Sequence, residues 1–193
     1  MRTIYERLKR VILFLFRKPF YAEVHYSDTI VRPIRVTPKF IFLKESVTIF
    51  FNARIEGVRI YRGKTFSPKI ILNKGVTIQQ NLHLTCANSI TIGENTAIAA
   101  NVTITDIHHP YDDIDKPIEH QDIVVSSVEI GPDCKIYNNA VILPGTKIGK
   151  HVTVGANSVV HGVFPDYCVV VGAPARIIKY YDFSNNCWRQ SGE

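Results

Sequence analysis

The sequence predicts an all-β fold, one coil of short parallel strands, and three observations carry that expectation. Residues 130–165 divide into six consecutive hexads, IGPDCK, IYNNAV, ILPGTK, IGKHVT, VGANSV and VHGVFP. Each opens on an aliphatic residue (Ile130, Ile136, Ile142, Ile148, Val154, Val160) and carries a small or apolar residue at its fifth position (Cys134, Ala140, Thr146, Val152, Ser158, Phe164). A period of six fits neither the helical 3.6 nor plain strand alternation. It fits flat strands joined by tight corners, with every opening residue pointing inward onto its equivalents in neighbouring turns. Finally, a 193-residue chain that is 46% hydrophobic but has one Met and one Trp is built to fill a narrow prism with Ile, Val and Leu.

The N-terminal segment is read as a helical extension over 1–40. It holds nine Lys and Arg against Glu6, Glu23 and Asp28, and so carries a charge equal to the whole formal +6. Its core is KRVILFLFRK, Lys9 to Lys18, an apolar run of six between basic pairs. Six residues cannot span a bilayer, which needs about 20. Two readings stay open: a helix packed on the coil or on a neighbouring subunit, or a basic amphipathic helix making peripheral contact with the inner face of a membrane. Nucleic-acid binding is not expected, because the basic residues are not interleaved along one groove-reading element.

The coil itself is expected over 41–172. Leu43, Ile49 and Ile55 take the inward register, with Val47 and Ala53 at the fifth position. YRGKTFSPK, Tyr61 to Lys69, breaks the period, and Gly63 and Pro68 mark an excursion out of the coil. The register resumes at Leu72, slips by two after Ile90, and continues from Ile92 through Ile98 to Ile104. Such a slip belongs at a corner, where an extra pair bulges without disturbing the stack. The pattern then vanishes over 105–127, and unpatterned insertions of this length are usually functional or disordered. This one carries His108, His109, Tyr111, His120 and six acids against Lys116. A flat-walled coil needs such a protrusion to make a concave site.

The C-terminal stretch VGAPARIIKYY leaves the coil through Gly172, Ala173 and Pro174, followed by a short tail over 173–193. Cys86, Cys134, Cys168 and Cys187 are scattered, with no CxxC pair and no leader-peptide pattern, and are expected to be reduced in an intracellular protein.

The hexads, the segment ITDIHHPYDD and the ending VGAPARIIKYY together resemble the hexapeptide-repeat acyltransferases, in particular the galactoside, maltose, O-antigen and capsule acetyltransferases. The resemblance covers roughly residues 43 to 181. It implies a left-handed parallel β-helix, although parallel crossovers default to the right hand. It also implies a homotrimer with active sites between subunits, acetyl-CoA as donor, and a sugar or glycan hydroxyl as acceptor in the cytoplasm. The His before the Pro, here His109, matches the family's general base. The chemistry agrees, since a sugar hydroxyl attacking an activated thioester lacks only removal of its proton. No GxSxG elbow is present, in keeping with direct transfer.

His108 is the rival base. Asp106 is read either as the carboxylate partner of an imidazole or as a turn cap. His83, beside the inward Leu84, and Tyr111 and Lys135 are the further candidates for the acceptor. Lys135 and Tyr137 stand where many relatives keep Trp and Gly. For the donor the resemblance points to Gly155 and Ala156 along the pantetheine arm, Gly172, Ala173 and Pro174 at the turn, and Arg176 and Lys179 near the phosphates. An amino sugar is the alternative acceptor. No metal is expected: a γ-class carbonic anhydrase site would need three converging His ligands, and His83, His108, His109 and His120 have the wrong spacing. A non-catalytic trimeric scaffold is the remaining class.

Overall fold

The computed structural model describes residues 2–192. Its body is a left-handed parallel β-helix, a three-sided prism in which each turn of chain lays one strand on each of three sheets. The first sheet stacks Thr29–Ile30, Thr48–Ile49, Thr77–Ile78, Ala97–Ile98, Lys135–Ile136, Thr153–Val154 and Cys168–Gly172. The second stacks Arg35–Val36, Arg54–Gly57, His83–Cys86, Thr103–Thr105, Val141–Ile142 and Val159–Val160. The third stacks Ile41–Leu43, Lys69–Leu72, Ser89–Ile92, Val128–Ile130, Lys147–Ile148 and Val163–Phe164.

Register follows the hexads. Ile98 lies opposite Ile136 and Ile136 opposite Val154 on the first face, while Leu84, Ile104, Ile142 and Val160 form the corresponding column on the second. The six opening residues and the fifth-position residues are all buried. One hexad differs from the expectation: Phe164 lies opposite Ile148 in the opening register rather than at a fifth position. The last corner is shorter by two residues, and Gly162, at φ 110°, makes the tighter turn. The slip after Ile90 sits at the corner between the second and third faces, where Cys86 and Ala87 are the buried extra pair.

The corners explain the polar hexad positions. Between the first and second faces the turn residue is Asn52, Asn81, Asn101, Asn139 and Asn157 in successive coils, each at φ between 57° and 62°. Asn tolerates this left-handed backbone better than most residues. The side chains also form a ladder: Asn81 donates to Asn101 at 2.8 Å, Asn101 to Asn139 at 3.1 Å, and Asn139 to Asn157 at 2.9 Å.

Both ends depart from the sequence reading. The coil starts well before residue 41: Thr29–Ile30 and Arg35–Val36 are already parallel strands, and Glu23 bridges Phe42. Their short, charged sequence hides them, since Val36 is the lone aliphatic residue of its strand. The helix α1, Arg2–Arg17, is therefore the extension proper, and Pro19 prevents its continuation. At the other end the tail is a pair of antiparallel strands, Ala175–Asp182 and Cys187–Gln190, added to the first sheet beside Cys168–Gly172.

Candidate active site

Two excursions leave the coil at the same corner, between the second and third faces. The first, residues 58–68, is a hairpin pairing Ile60–Tyr61 with Lys64–Thr65 through Arg62 and Gly63, both at positive φ as a two-residue hairpin turn of this twist requires. The second occupies 106–127. It rises as Ile107–His108, runs through a short 3-10 turn at Ile118–His120, and returns as Val124–Val125 antiparallel to the outgoing strand. The excursions meet above the coil. Tyr61 Oη donates to the Glu119 carbonyl at 3.2 Å, Arg62 to the same carbonyl at 3.4 Å, and Lys64 pairs with Asp122 at 2.7 Å.

Beneath them the outward residues of the second face form a floor. His83 is in register with Thr103, and Thr85 with Thr105, whose hydroxyls are hydrogen-bonded at 3.0 Å. Floor and overhang enclose a groove of about 390 Å³ lined by Val58, Tyr61, His83, Thr85, Thr103, Thr105, Ile107, His109 and Ile123. Strand alternation distinguishes the two adjacent histidines. Ile107 and His109 line the groove, whereas His108 is exposed on the other side of the strand, its ring edge-on to Tyr111 at 5.9 Å.

The His109 ring stands edge-on to Tyr61, with centroids 5.7 Å apart. Its Nδ1 is buried without a hydrogen-bond partner, and the nearest carboxylate oxygen is Glu119 Oε1 at 4.0 Å. The Tyr61 phenol is pushed up in pKa by desolvation and then by Glu119. Burial, and after it the Arg54 guanidinium, push the His83 imidazole below its ordinary value and favour its neutral form.

The other candidates separate. Of the two readings of Asp106 the turn cap is the one the structure supports, and a role as imidazole partner or acceptor contact is the one it corrects: the side chain is fully buried and lies outside the groove lining. Its carboxylate accepts the backbone N–H groups of Ala87 and Asn88, both at 2.7 Å, and receives the Cys86 thiol at 3.3 Å. It caps the widened corner, as Asp and Asn side chains do in turns. Tyr111 is 66% exposed and lies outside the groove lining. Lys135 also lies outside it, on the first face, with its ammonium over the Tyr137 ring at 5.5 Å.

Gly155 and Ala156 occupy a corner between the first and second faces, and Gly155 lies against Val171. Gly172, at φ 103°, donates its N–H to Ser158 Oγ at 3.1 Å and opens the turn through Ala173 and Pro174. Arg176 and Lys179 follow on Ala175–Asp182. The donor candidates therefore gather on the first face and its C-terminal edge, apart from the groove on the second. Among the described residues no three His, Cys, Asp or Glu side chains converge as metal ligands.

Sequence reasoning passed over Tyr61, Thr85, Thr103, Thr105 and Glu119. The broken period at 61–69 marked an excursion, but nothing local showed that it would meet the second one.

A family model, bacterial transferase hexapeptide (six repeats), matches residues 127–162. A protein of Escherichia coli K12 named as a lipopolysaccharide-biosynthesis O-acetyl transferase, WbbJ, is 36% identical over 129 residues, 63% of this chain and 66% of that one. A Mycobacterium tuberculosis protein named as an acetyltransferase is 37% identical over 123 residues, 63% of this chain and 39% of its own. The chain thus spans less than two thirds of the length of either relative. Among solved structures, AntD, an N-acyltransferase from Bacillus cereus in complex with dTDP and coenzyme A, superimposes with a TM-score of 0.67 at 17% identity, over 88% of this chain and 89% of that one. That likeness is one of fold.

Proposed function

We propose that the chain is a hexapeptide-repeat transferase, as the six repeats matched over residues 127–162 support, and that it moves acetyl from acetyl-CoA to a hydroxyl of a sugar or glycan precursor. The observation that carries this reading is the imidazole of His109 hanging over a groove floored by His83, Thr85, Thr103 and Thr105. Such a floor offers hydroxyl and imidazole partners to a polyhydroxylated ring and no buried charge to repel it. The names of the relatives, one tied to lipopolysaccharide biosynthesis, agree.

In the proposed reaction the free Nε2 of His109 takes the proton of the acceptor hydroxyl as its oxygen attacks the thioester carbonyl. Backbone amides stabilise the tetrahedral oxyanion. Collapse breaks the carbon–sulfur bond, and the imidazolium returns its proton to the departing thiolate, giving ester and free thiol. This requires the tautomer with hydrogen on Nδ1, which is the nitrogen turned toward Glu119. His83, held neutral, can donate or accept a hydrogen bond to the acceptor. Gly155, Ala156, Gly172, Ala173, Pro174, Arg176 and Lys179 are the proposed donor groove. They lie on the first face and its C-terminal edge, outside the groove that His109 lines, which supports a homotrimer in which a neighbour brings the donor to the base. The use of acetyl-CoA as donor is the reason for proposing a cytoplasmic reaction. AntD's activity on nitrogen supports a second acceptor class, an amino sugar, with His109 unchanged in role and an amide as product.

The test is thiol release from acetyl-CoA across sugars, nucleotide sugars and glycan fragments, run beside His109→Ala and His108→Ala. Release should depend on one acceptor class and fall by about 10²–10⁴-fold in His109→Ala with coenzyme A affinity unchanged, while His108→Ala stays within a few-fold. Near-wild-type turnover in His109→Ala would remove it from the mechanism. Failure to bind acetyl-CoA at all would favour a scaffold.

A further inference from the structure

The helix α1 lies beside the first coil with its apolar side turned to solvent and none of its described residues in the buried core. An amphipathic helix on a globular domain normally buries its apolar stripe and exposes its charges. Here Lys9, Arg10, Leu13 and Arg17 line a cleft of about 510 Å³ against residues 28–32, and Arg17 Nη2 donates to the Ile30 carbonyl at 2.8 Å. Tyr5, Leu8, Val11, Ile12, Leu15 and Phe16, three or four residues apart, lie on the opposite side and are exposed. Leu15 is 61% and Phe16 72% exposed, and Phe20 just beyond the helix is 66%. Ordinary folding leaves no reason for so much large apolar surface on one short element.

Charge indicates what covers it. Residues 2–18 carry six Lys and Arg against Glu6. At 100° per residue Lys9 borders the apolar arc beside Phe16, and Lys18 borders it beside Val11. A second copy of the same helix laid on this face would set these like charges against each other. An anionic lipid surface neutralises them, while their alkyl stems extend along the apolar layer and their ammonium groups reach the phosphates. Sixteen residues lying in the plane suit this role. None of the described helices is long and apolar enough to cross a membrane.

We propose that α1 docks the protein on an anionic membrane surface, with its apolar face at the acyl boundary and Lys9 and Lys18 among the headgroups. The coil then stands with its N-terminal end toward the lipid. His83 lies two strands beyond Arg35 on the second sheet, which places the groove floor roughly 10 Å above the first coil. A lipid-borne glycan can reach that height. The proposal does not depend on the reaction assigned to His109.

The experiment is co-sedimentation of the full chain with phosphatidylcholine vesicles, with and without about a third phosphatidylglycerol. Binding should require the anionic lipid and weaken as salt rises. Lys9→Gln with Lys18→Gln should reduce it about thirtyfold, at roughly fivefold per charge, and Leu15→Glu with Phe16→Glu should abolish it while the far-UV circular dichroism is retained. Failure to sediment with either vesicle, or equal binding to both, would overturn the proposal. So would a fall in solution mass by light scattering in Leu15→Glu with Phe16→Glu, which would show the face to be covered by another copy of the chain.

Discussion

Replacing Asp106 by Ala should unfold the corner that roots the His109 excursion, and the cost can be worked from its bonds. The carboxylate accepts two backbone N–H groups at 2.7 Å. A hydrogen bond to a charged partner contributes about 1.5–3 kcal/mol. Ala87 is 1% exposed, so its amide is left with no substitute partner, whereas Asn88 is at the surface and regains water. The sum is about 3 kcal/mol, most of it from Ala87. With a urea slope of roughly 2 kcal/mol per molar, the midpoint of a circular-dichroism unfolding curve should fall by about 1.5 M. Asp106→Asn keeps one acceptor but turns an NH2 group toward the second amide, and should lose about half as much. Thiol release should fall with stability, because the corner capped by this carboxylate is the one from which the excursion carrying His109 leaves the coil. An unchanged midpoint with a raised KM would refute this reasoning and return Asp106 to the substrate.

A Cβ on Gly93 would collide with the backbone of Gly131 and Pro132 in the next coil, so Gly93→Ala should lower stability by about 1–3 kcal/mol in urea melts. The His83 imidazole has its folded pKa pushed down by burial and by Arg54. Its contribution is therefore full above the ordinary value of about 6.5 and is lost as pH falls through the lower folded one. Unfolding curves at about pH 7 and pH 5 should show a smaller acid loss in His83→Gln than in wild type. Lys64→Ala with Tyr61→Phe opens the clasp between the excursions. The Lys64–Asp122 pair is exposed at both ends, so the unfolding midpoint should barely change, while the acceptor KM rises about threefold to tenfold as the groove roof loosens.

The sequence alone determined the prism. A hexad repeat permits one economical solution, because only a coil with one inward residue per six puts Ile130, Ile136, Ile142, Ile148, Val154 and Val160 into columns, and all six are buried. The turn Gly172–Pro174 and the interruptions at 61–69 and 105–127 were legible for the same reason, as breaks in a strong pattern. His109 and His83 were singled out by the family resemblance, through the His-Pro segment and an aligned strand position, and both line one groove.

Tertiary structure decided the rest. Whether His108 or His109 faces the groove depends on which way one two-residue strand alternates, and that is fixed by its pairing with Val124–Val125. The role of Asp106 depends on two unpaired amides in a neighbouring coil, 18 and 19 residues away. Glu119 reaches Tyr61 across 58 residues of chain. The first coil escaped notice because Thr29–Ile30 and Arg35–Val36 have almost no apolar pattern of their own and hold their place through backbone bonds to strands already stacked. Periodicity reports how each residue meets the core. It carries no information about which surface elements, excluded from the core and aperiodic, come together above it, and the candidate site is made of those.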